Sequence, residues 1–223
     1  MNKVIEPGGE GEVLDIELDE DFLQRNRQLA EKNSQRLKGL GIHAVDILGS
    51  VGSGKTSIIM QMVSRLKNRN VKVIAGDLTT TIDADRIATK GAEVIQVNTG
   101  RECHLDANIV RKALDDLNLE NVDTIIVENV GNLICPADFP VGADTRMVVI
   151  SVTEGPYMVL KHPFIFLDAD VVAINKIDLS EAMEVNPDEL KAQLLKLKPA
   201  IKVIKTNGRT GEGVDDVIKT LGL

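Results

Sequence analysis

The sequence predicts an α/β fold in which a doubly wound, mostly parallel sheet is flanked by helices. Seven short segments rich in Val and Ile alternate with helical patterns along most of the chain. Hydrophobic residues make up 43% of the 223 residues and aromatic residues only 2%, so the core must be built from aliphatic side chains. Such a core is typical of parallel sheets that are covered on both faces. The length fits one domain with a short appended arm.

The N-terminal region precedes this alternating pattern. Residues 1–18 contain four Gly or Pro and several acidic residues, so we expect a flexible arm there. Residues 19–41 have the spacing of an amphipathic helix that packs on the side of the domain, with acidic residues at its start and glycines at its end. The domain itself is therefore expected to occupy residues 42–223.

From residue 42 onward the pattern alternates between strand and helix. The predicted strands lie at residues 42–48, 71–76, 92–97, 123–130, 147–153, 170–176 and 201–206. The predicted helices lie at residues 55–69, 83–91, 105–117, 187–198 and 213–221. Repeated β–α units favour parallel pairing, because each helix carries the chain back to the end of the sheet where the next strand begins.

Charge and cysteine content exclude several classes of protein. The net charge of −8 and the pI near 5.0 argue against a nucleic-acid-binding protein or one that binds anionic membranes. No apolar run is long enough to span a bilayer, and the N-terminus does not have the pattern of a signal peptide. Two cysteines cannot build a disulfide framework. We therefore expect a cytoplasmic protein that binds neither nucleic acid nor membrane.

The segment GSVGSGKT at residues 49–56 fits the phosphate-binding pattern G-x-x-x-x-G-K-S/T. It follows a predicted strand and opens a predicted helix, whose N-terminus favours the same anion as the backbone N–H groups of the loop. Lys55 is the expected catalytic contact to the β- and γ-phosphate oxygens, and the hydroxyl of Thr56 is an expected Mg²⁺ ligand. The predicted nucleotide-binding residues of this P-loop are Gly49, Ser50, Val51, Gly52, Ser53, Gly54, Lys55, Thr56 and Ser57.

The tetrapeptide NKID at residues 175–178 ends another predicted strand. Asp178 can accept hydrogen bonds from both N1–H and the 2-amino group of guanine, a pair of donors that adenine lacks, so the motif predicts selection of GTP. We expect the stem of Lys176 to lie over the purine and Asn175 to tie this loop to the P-loop. The segment TNGRTGEG at residues 206–213 follows the next strand and should place backbone N–H groups near the guanine carbonyl. The predicted contacts of that segment are Thr206, Asn207 and Gly208.

Two acidic residues end predicted strands at the same edge of the sheet. Asp77 in GDLTTTID and Glu128 in VENVG are expected to bind Mg²⁺ together with Thr56. Asp77 is also a catalytic candidate for orienting the attacking water. The N–H of Gly131 is expected to reach the γ-phosphate, so the segment 128–135 should differ between the GTP and GDP states. The alternative for either acid is a solvated carboxylate at a strand end.

Three potential soft-metal ligands lie in loops that should face the nucleotide edge. Cys103 and His104 follow one predicted strand, and Cys135 lies seven residues after Glu128. Two thiolates and an imidazole suit Zn²⁺ or Ni²⁺ better than Mg²⁺, and we expect the dipole of the helix that follows Cys103 to favour its thiolate. Three ligands leave a tetrahedral site one short, and adjacent residues are expected to point in different directions. We therefore predict a metal that bridges a homodimer and is favoured by GTP; the alternative is two buried cysteines and a surface histidine.

The chain resembles a known family, the hydrogenase nickel-incorporation GTPases called HypB. The segments that carry the resemblance are, in order, GSVGSGKTS, GDLTTTIDADRI, TGRECHLDA, ENVGNLICPADF, SVTEGP and NKIDLSE. The resemblance extends from about residue 20 to the C-terminus and implies a dimerising P-loop GTPase that hydrolyses GTP during nickel delivery to the large subunit of NiFe hydrogenase. It also implies a nickel-binding maturation protein as a partner. The family's metal ligands would correspond to Cys103, His104 and Cys135, and its nucleotide residues to the P-loop, Asp77, Glu128 and NKID.

The sequence departs from the family pattern at its N-terminus, and other functions compete with this one. Many relatives have a Cys-rich nickel motif or a His-rich run there, but the first 40 residues contain neither Cys nor His, so a tight N-terminal nickel site or nickel storage is not expected. A urease-accessory nickel GTPase would have Cys-Pro-His where this chain has Cys-His-Leu. A GTPase that loads a cobalamin enzyme would not need the Cys–His pair. A non-catalytic nickel or zinc protein with a vestigial nucleotide site would not need Lys55, Thr56 and Asp178.

Overall fold

Seven parallel strands form one sheet at the centre of the molecule. The structure is a computed structural model that describes residues 13–77, 81–100 and 102–223, with side chains from residue 21 onward. The strands are β1 (His43–Gly49), β2 (Val71–Asp77), β3 (Glu93–Asn98), β4 (Thr124–Glu128), β5 (Thr145–Ser151), β6 (Val171–Asn175) and β7 (Lys202–Lys205). Their order is β3-β2-β4-β1-β5-β6-β7, and every pair is parallel. The predicted fold class and all seven predicted strands are confirmed.

Helices cover both faces of this sheet. In the described residues they are α1 (Val13–Gly39), α2 (Lys55–Arg65), α3 (Ile82–Ala88), α4 (Ala107–Asp116), α5 (Met158–Lys161), α6 (Phe164–Leu167), α7 (Pro187–Leu197) and α8 (Val214–Leu221). Along β1, Val45 and Ile47 pack on one face with side chains of α2 and α8. Ala44 packs on the opposite face with side chains of α1 and α4. Burial on both faces explains why the strands are uninterrupted runs of Val and Ile.

The first helix is longer than the sequence predicts. It already includes Val13, the first described residue, which lies six residues before the expected start, because no Gly or Pro interrupts residues 13–38. It ends at Gly39, one of the two glycines expected to stop it, so the predicted range of 19–41 is wrong at its start. The flexible arm was predicted for residues 1–18; its residues 13–18 are helical instead, and residues 1–12 lie outside the described residues.

Two short helices between β5 and β6 were not predicted. Each has four residues, which is about one turn, so the sequence cannot show a helical period over that length. They bury Met158, Val159, Ile165 and Phe166 against the sheet. No helix in the described part of the chain is long and apolar enough to cross a membrane.

Helix α1 is attached to the domain by two buried asparagines. The Asn33 amide donates to the carbonyls of Ala107 and Val141 at 2.8 and 3.0 Å. The Asn26 amide donates to Pro140 O at 2.9 Å and accepts from Ala107 N at 2.8 Å. Asn26 and Asn33 are only 4% and 1% exposed, so water cannot take over these hydrogen bonds if the amides are removed. The helix therefore fixes the start of α4 and the chain that leads into β5.

Replacing Asn33 with Ala should lower the free energy of unfolding by about 2 kcal/mol, because two buried carbonyls lose their donor. Chemical denaturation of the purified variant measures the change. The matched control is Gln35→Ala on the same helix, since Gln35 is exposed and its side chain donates to Glu31 on α1 rather than to another element. Equal losses in the two variants would contradict this account of how α1 is attached.

Candidate nucleotide and metal site

The P-loop connects β1 to α2 and turns back tightly over the end of the sheet. Gly54, the residue before α2, has a φ of 100°, and a Cβ there would overlap the side-chain amide of Asn175. A Cβ at Gly49 would overlap the carbonyl of Val149 on the neighbouring strand β5. The loop therefore needs glycine at both positions to reach the phosphate-binding shape that the motif predicts.

The loop forms one wall of a polar cavity of about 300 Å³. The cavity lies at the carboxyl edge of the sheet, where a doubly wound fold binds its ligands. The structure brings together ten of the predicted site residues around it, namely Val51, Gly52, Gly54, Lys55, Thr56, Ser57, Asp77, Glu128, Gly131 and Lys176. Four further residues line it that the sequence analysis did not select, namely Gly76, Asp83, Arg86 and Asn129. Of these, Asp83 and Arg86 form an ion pair at 3.0 Å in α3. Their opposite charges lie three residues apart in the sequence, and this spacing was the signal that could have identified the pair.

Lys55 is buried at the base of this loop. Its ammonium donates to the carbonyls of Gly49 and Ser50, each at 3.0 Å. Burial lowers the pKa of Lys55, although neighbouring carboxylates, Glu128 foremost, act in the opposite direction. A phosphate in the cavity would relieve this desolvation by adding negative charge beside the ammonium.

Thr56 and Glu128, two of the predicted Mg²⁺ ligands, are in direct contact. The Thr56 hydroxyl donates to Glu128 Oε1 at 2.6 Å. Burial raises the pKa of Glu128 to about 7, against the opposing effects of the Thr56 hydrogen bond and the Lys55 charge. Within the described residues, Glu128 Oε2 is buried and has no hydrogen-bond partner. A hydroxyl and a carboxylate with one unsatisfied oxygen suit Mg²⁺, and Asp77 lines the same cavity.

The predicted guanine-binding segments converge on Asn175. Its amide donates to Ser53 O at 2.8 Å, and its oxygen accepts from Gly208 N at 2.8 Å. This geometry matches the expected tie between the NKID loop and the P-loop. Thr206 and Asn207, which precede Gly208, are buried beside it.

Lys176 and Asp178 separate within the NKID loop. Lys176 lines the polar cavity described above and donates to Thr153 Oγ1 at 3.3 Å. Asp178 is not among the residues that line that cavity; it lies in the short 3₁₀ turn Ile177–Leu179 and borders the adjacent open groove. Its contact to guanine therefore stays a prediction.

Sequence reasoning missed one residue that supports the P-loop. Glu154 ends the 3₁₀ turn Val152–Glu154 after β5, where it accepts from Ser151 N at 2.6 Å and from the hydroxyl of Ser50. Its carboxylate thereby fixes a P-loop residue to the neighbouring strand end. The available signal was the segment SVTEGP, in which a serine and a glutamate three residues apart form a capping box.

Cys103, His104 and Cys135 converge in a single chain. One donor atom from each lies within 4.8 Å of the other two, and Cys103 Sγ is 3.7 Å from His104 Nδ1. The expectation that adjacent residues point in different directions is wrong here, because the turn between β3 and α4 brings both side chains to the same side. All three are half-buried, so an ion can reach them from solvent. Two sulfurs and one ring nitrogen form the donor set that favours Zn²⁺ or Ni²⁺ over Mg²⁺.

The protonation of these ligands differs from the sequence prediction. A hydrogen bond with Cys135, together with burial, raises the pKa of Cys103. The expected thiolate is therefore not favoured at Cys103 in the metal-free chain, and α4 begins only at Ala107, where Asp106 caps it by accepting from Ile109 N at 2.7 Å. Burial lowers the pKa of His104, which favours the neutral imidazole that binds metals. Metal binding at Cys103 should therefore displace its proton.

The segment 128–135 connects the polar cavity to the three candidate metal ligands. It starts at Glu128, which accepts from Thr56, and it ends at Cys135. Between them, a Cβ at Gly131 would lie 3.0 Å from the backbone N of Val51, so the segment packs directly on the P-loop. Asn132 forms a bridge with Gly49 and donates from its side chain to Cys103 O at 3.3 Å. Asn132 therefore links the P-loop directly to the backbone of Cys103, and Cys135 follows Asn132 by three residues.

Comparison with known proteins gives consistent matches. Residues 43–205 match the sequence profile of the family described as CobW/HypB/UreG, nucleotide-binding domain. A probable hydrogenase maturation factor HypB from Methanocaldococcus jannaschii is 44% identical over 208 residues, which are 93% of this chain and 93% of that protein.

Solved structures agree with the sequence matches. Hydrogenase maturation factor HypB from Archaeoglobus fulgidus has a TM-score of 0.83 at 39% identity, covering 89% of this chain and 98% of that one. HypB from Helicobacter pylori in complex with nickel also has a TM-score of 0.83, at 35% identity, and covers 88% of this chain and 93% of that one.

Replacing Glu128 with Gln should stabilise the nucleotide-free chain at pH 8 relative to wild type, and this advantage should shrink towards pH 5. Folding raises the pKa of Glu128 from 4.5 to about 7, so the folded state binds the extra proton and wild type loses stability as the pH rises through that interval. The full loss is about 3 kcal/mol, and Gln does not titrate. Melting temperatures of both proteins from pH 5 to 8 measure the difference.

The control for this experiment is Glu120→Gln, since Glu120 is exposed and its replacement should leave the pH profile unchanged. A difference between wild type and Glu128→Gln that is constant with pH, or that grows towards acid, would contradict the assignment of a buried, poorly solvated carboxylate.

Proposed function

The chain belongs to the CobW/HypB/UreG family of nucleotide-binding proteins, and from that premise we propose that it is a GTP-hydrolysing metallochaperone for nickel insertion during maturation of NiFe hydrogenase. One observation carries the proposal most directly. The three soft-metal ligands Cys103, His104 and Cys135 lie within 4.8 Å of one another, and one of them ends the segment that packs on the P-loop. A metal site in that position can respond to the nucleotide.

The chemistry of hydrolysis is assigned to residues around the phosphate cavity. Lys55 would exchange its two carbonyl partners for β- and γ-phosphate oxygens, because the negative charge offsets the desolvation of its ammonium. Thr56 and Glu128 would hold Mg²⁺, with Asp77 beside them at the end of β2. The ion supplies charge neutralisation for the phosphoryl oxygens. Asp77 is proposed to orient the attacking water, and the N–H of Gly131 to contact the γ-phosphate.

Guanine selectivity is assigned to the NKID loop. Asn175 fixes this loop to both Ser53 and Gly208, which supports a preformed base site beside the P-loop. Lys176 would cover one face of the purine with its stem. Asp178 would accept the paired N–H donors of guanine, so GTP is proposed as the substrate in preference to ATP.

The metal is proposed to complete its coordination in a homodimer. Three ligands from one chain leave a tetrahedral site one short. Beside Cys135 lies an apolar cavity of about 490 Å³ next to the exposed side chains of Ile134 and Phe164, which are 66% and 75% exposed. An apolar patch that continues directly from an incomplete metal site suits a second copy of the same chain. GTP would favour this dimer through the segment 128–135.

The cellular setting of the proposal follows from the family. Nickel would be the cargo, received from a nickel-binding maturation protein and delivered to the hydrogenase large subunit in the cytoplasm. The same ligand set also suits Zn²⁺, as an alternative occupant of the site. A non-catalytic metal protein is the second candidate function, but the buried Lys55 and the Thr56–Glu128 pair support an active phosphate site.

Two variants test the proposal, one in the metal site and one in the guanine site, and each is the control for the other. Cys103→Ala should weaken Ni²⁺ and Zn²⁺ binding by roughly 100-fold, because it removes a metal ligand, and should leave steady-state GTP hydrolysis within about twofold. Asp178→Asn should weaken GTP binding by roughly 100-fold through loss of a charge-assisted contact and should leave metal affinity in the absence of nucleotide unchanged. The amide of the new Asn matches the 2-carbonyl of xanthine, so this variant should gain hydrolysis of xanthosine triphosphate.

The readouts are release of phosphate from GTP, ATP and xanthosine triphosphate, and metal titration against a chromophoric chelator. Absence of GTP turnover in wild type, alone and with the nickel-binding partner, would contradict the enzymatic half of the proposal. Undiminished metal binding by Cys103→Ala would contradict the metal half.

A further inference from the structure

A buried ion pair lies beneath the two loops that supply the metal ligands. Asp46 in β1 and Arg146 in β5 are paired in register across the two strands, and Arg146 Nε lies 3.4 Å from Asp46 Oδ2. Their side chains are 2% and 11% exposed. A buried ion pair generally adds little to stability compared with apolar residues of the same volume, because both charges lose their hydration. A buried charge pair at this position is therefore not explained by stability.

Arg146 extends from Asp46 to the loop of the second cysteine. Its Nη1 donates to the carbonyl of Ala137 at 3.2 Å. Ala137 is the last residue of the 3₁₀ turn Cys135–Ala137, which the metal ligand itself begins. The guanidinium thus connects a fixed position in the sheet to the turn that places Cys135, and its planar fork allows both contacts at once.

Asn129 extends from the same carboxylate to the loop of the other two ligands. Its amide donates to Asp46 Oδ1 at 3.4 Å, and its oxygen accepts from Leu105 N at 2.9 Å. Leu105 directly follows His104. Asn129 is 1% exposed and follows Glu128 in the segment 128–135, so the contact to Leu105 is shielded from water. One carboxylate in the sheet therefore anchors both metal loops, each through a different side chain.

We propose that Arg146 is a positioning residue for the metal site and that Asp46 holds it in place, so that the pair sets the distance between the Cys103–His104 loop and the Cys135 turn. This inference rests on the proposed function of those three ligands. Burial raises the pKa of Asp46, while the charge of Arg146 and the amide of Asn129 act against that rise, so the carboxylate depends on both partners. Groups of this kind orient metal ligands without touching the metal.

The test compares Arg146→Met with the matched control Lys72→Met. Lys72 is also a buried cation on a strand and pairs with Glu93, and among the described residues neither has a hydrogen bond or ion pair to the loops that carry Cys103, His104 and Cys135. Arg146→Met should weaken Ni²⁺ and Zn²⁺ affinity by roughly 10- to 100-fold, while Lys72→Met should change it by less than about twofold. GDP affinity should stay within about twofold of wild type in both variants, and the nickel–thiolate absorption of Arg146→Met should shift.

Arg146→Lys keeps the inference testable if the Met variant does not fold. Lysine keeps a positive charge for Asp46 but lacks the fork that also reaches the Ala137 carbonyl, so the variant should fold and bind metal at least about fivefold more weakly. The inference is overturned if metal affinity falls no more in the Arg146 variants than in Lys72→Met, or if GDP affinity falls in parallel. Cys103→Ala distinguishes failure of the positioning role of Arg146 from failure of the proposed metal site. If it abolishes metal binding while the Arg146 variants bind normally, only the positioning role fails; if it retains metal, the proposed metal site fails and the inference with it.

Discussion

The close packing of the segment 128–135 on the P-loop is the constraint on which the rest of the site depends. Gly131 lies against the backbone of Val51 with no room for a side chain, and Asn132 forms a bridge with Gly49. At one end of this segment the Glu128 carboxylate meets Thr56, and at the other end Cys135 meets Cys103 and His104. Because the segment packs directly on the P-loop between these two ends, a shift of the P-loop must either move this segment or be resisted by it.

Under the proposed function, buried charge would make this arrangement sensitive to nucleotide. Without a ligand, burial lowers the pKa of Lys55 and raises the pKa of Glu128 to about 7, so both groups are poorly solvated in their charged forms. Bound phosphate would add negative charge beside Lys55, and Mg²⁺ would add positive charge beside Glu128. A ligand that relieves these two desolvation penalties would stabilise one conformation of the segment 128–135 over another. A nucleotide switch requires such a difference in affinity between two conformations.

Much of this architecture could be predicted from the sequence, and the exceptions have physical reasons. The strands were evident because burial on both faces makes them continuous runs of Val and Ile, and the P-loop was evident because its shape demands glycines at fixed spacing. The helical conformation of residues 13–18 was missed, since a helix without a breaker extends further than its apolar face indicates. The convergence of Cys103 with His104 depends on a loop turn that spacing does not encode. The Asp46–Arg146 pair was also missed, because its residues lie 100 positions apart and only strand order makes them neighbours.

The central claim is that the nucleotide and metal sites are coupled through the segment 128–135. The measurement that tests it most directly is the Ni²⁺ affinity of the wild-type chain saturated with GDP and with a non-hydrolysable GTP analogue, with molecular mass followed by light scattering and Cys103→Ala alongside. The account predicts that the analogue tightens metal binding by at least about fivefold, that a dimer forms with it, and that Cys103→Ala abolishes the difference. Equal affinity in the two nucleotide states, in a chain that binds both nucleotides and the metal, would contradict the coupling.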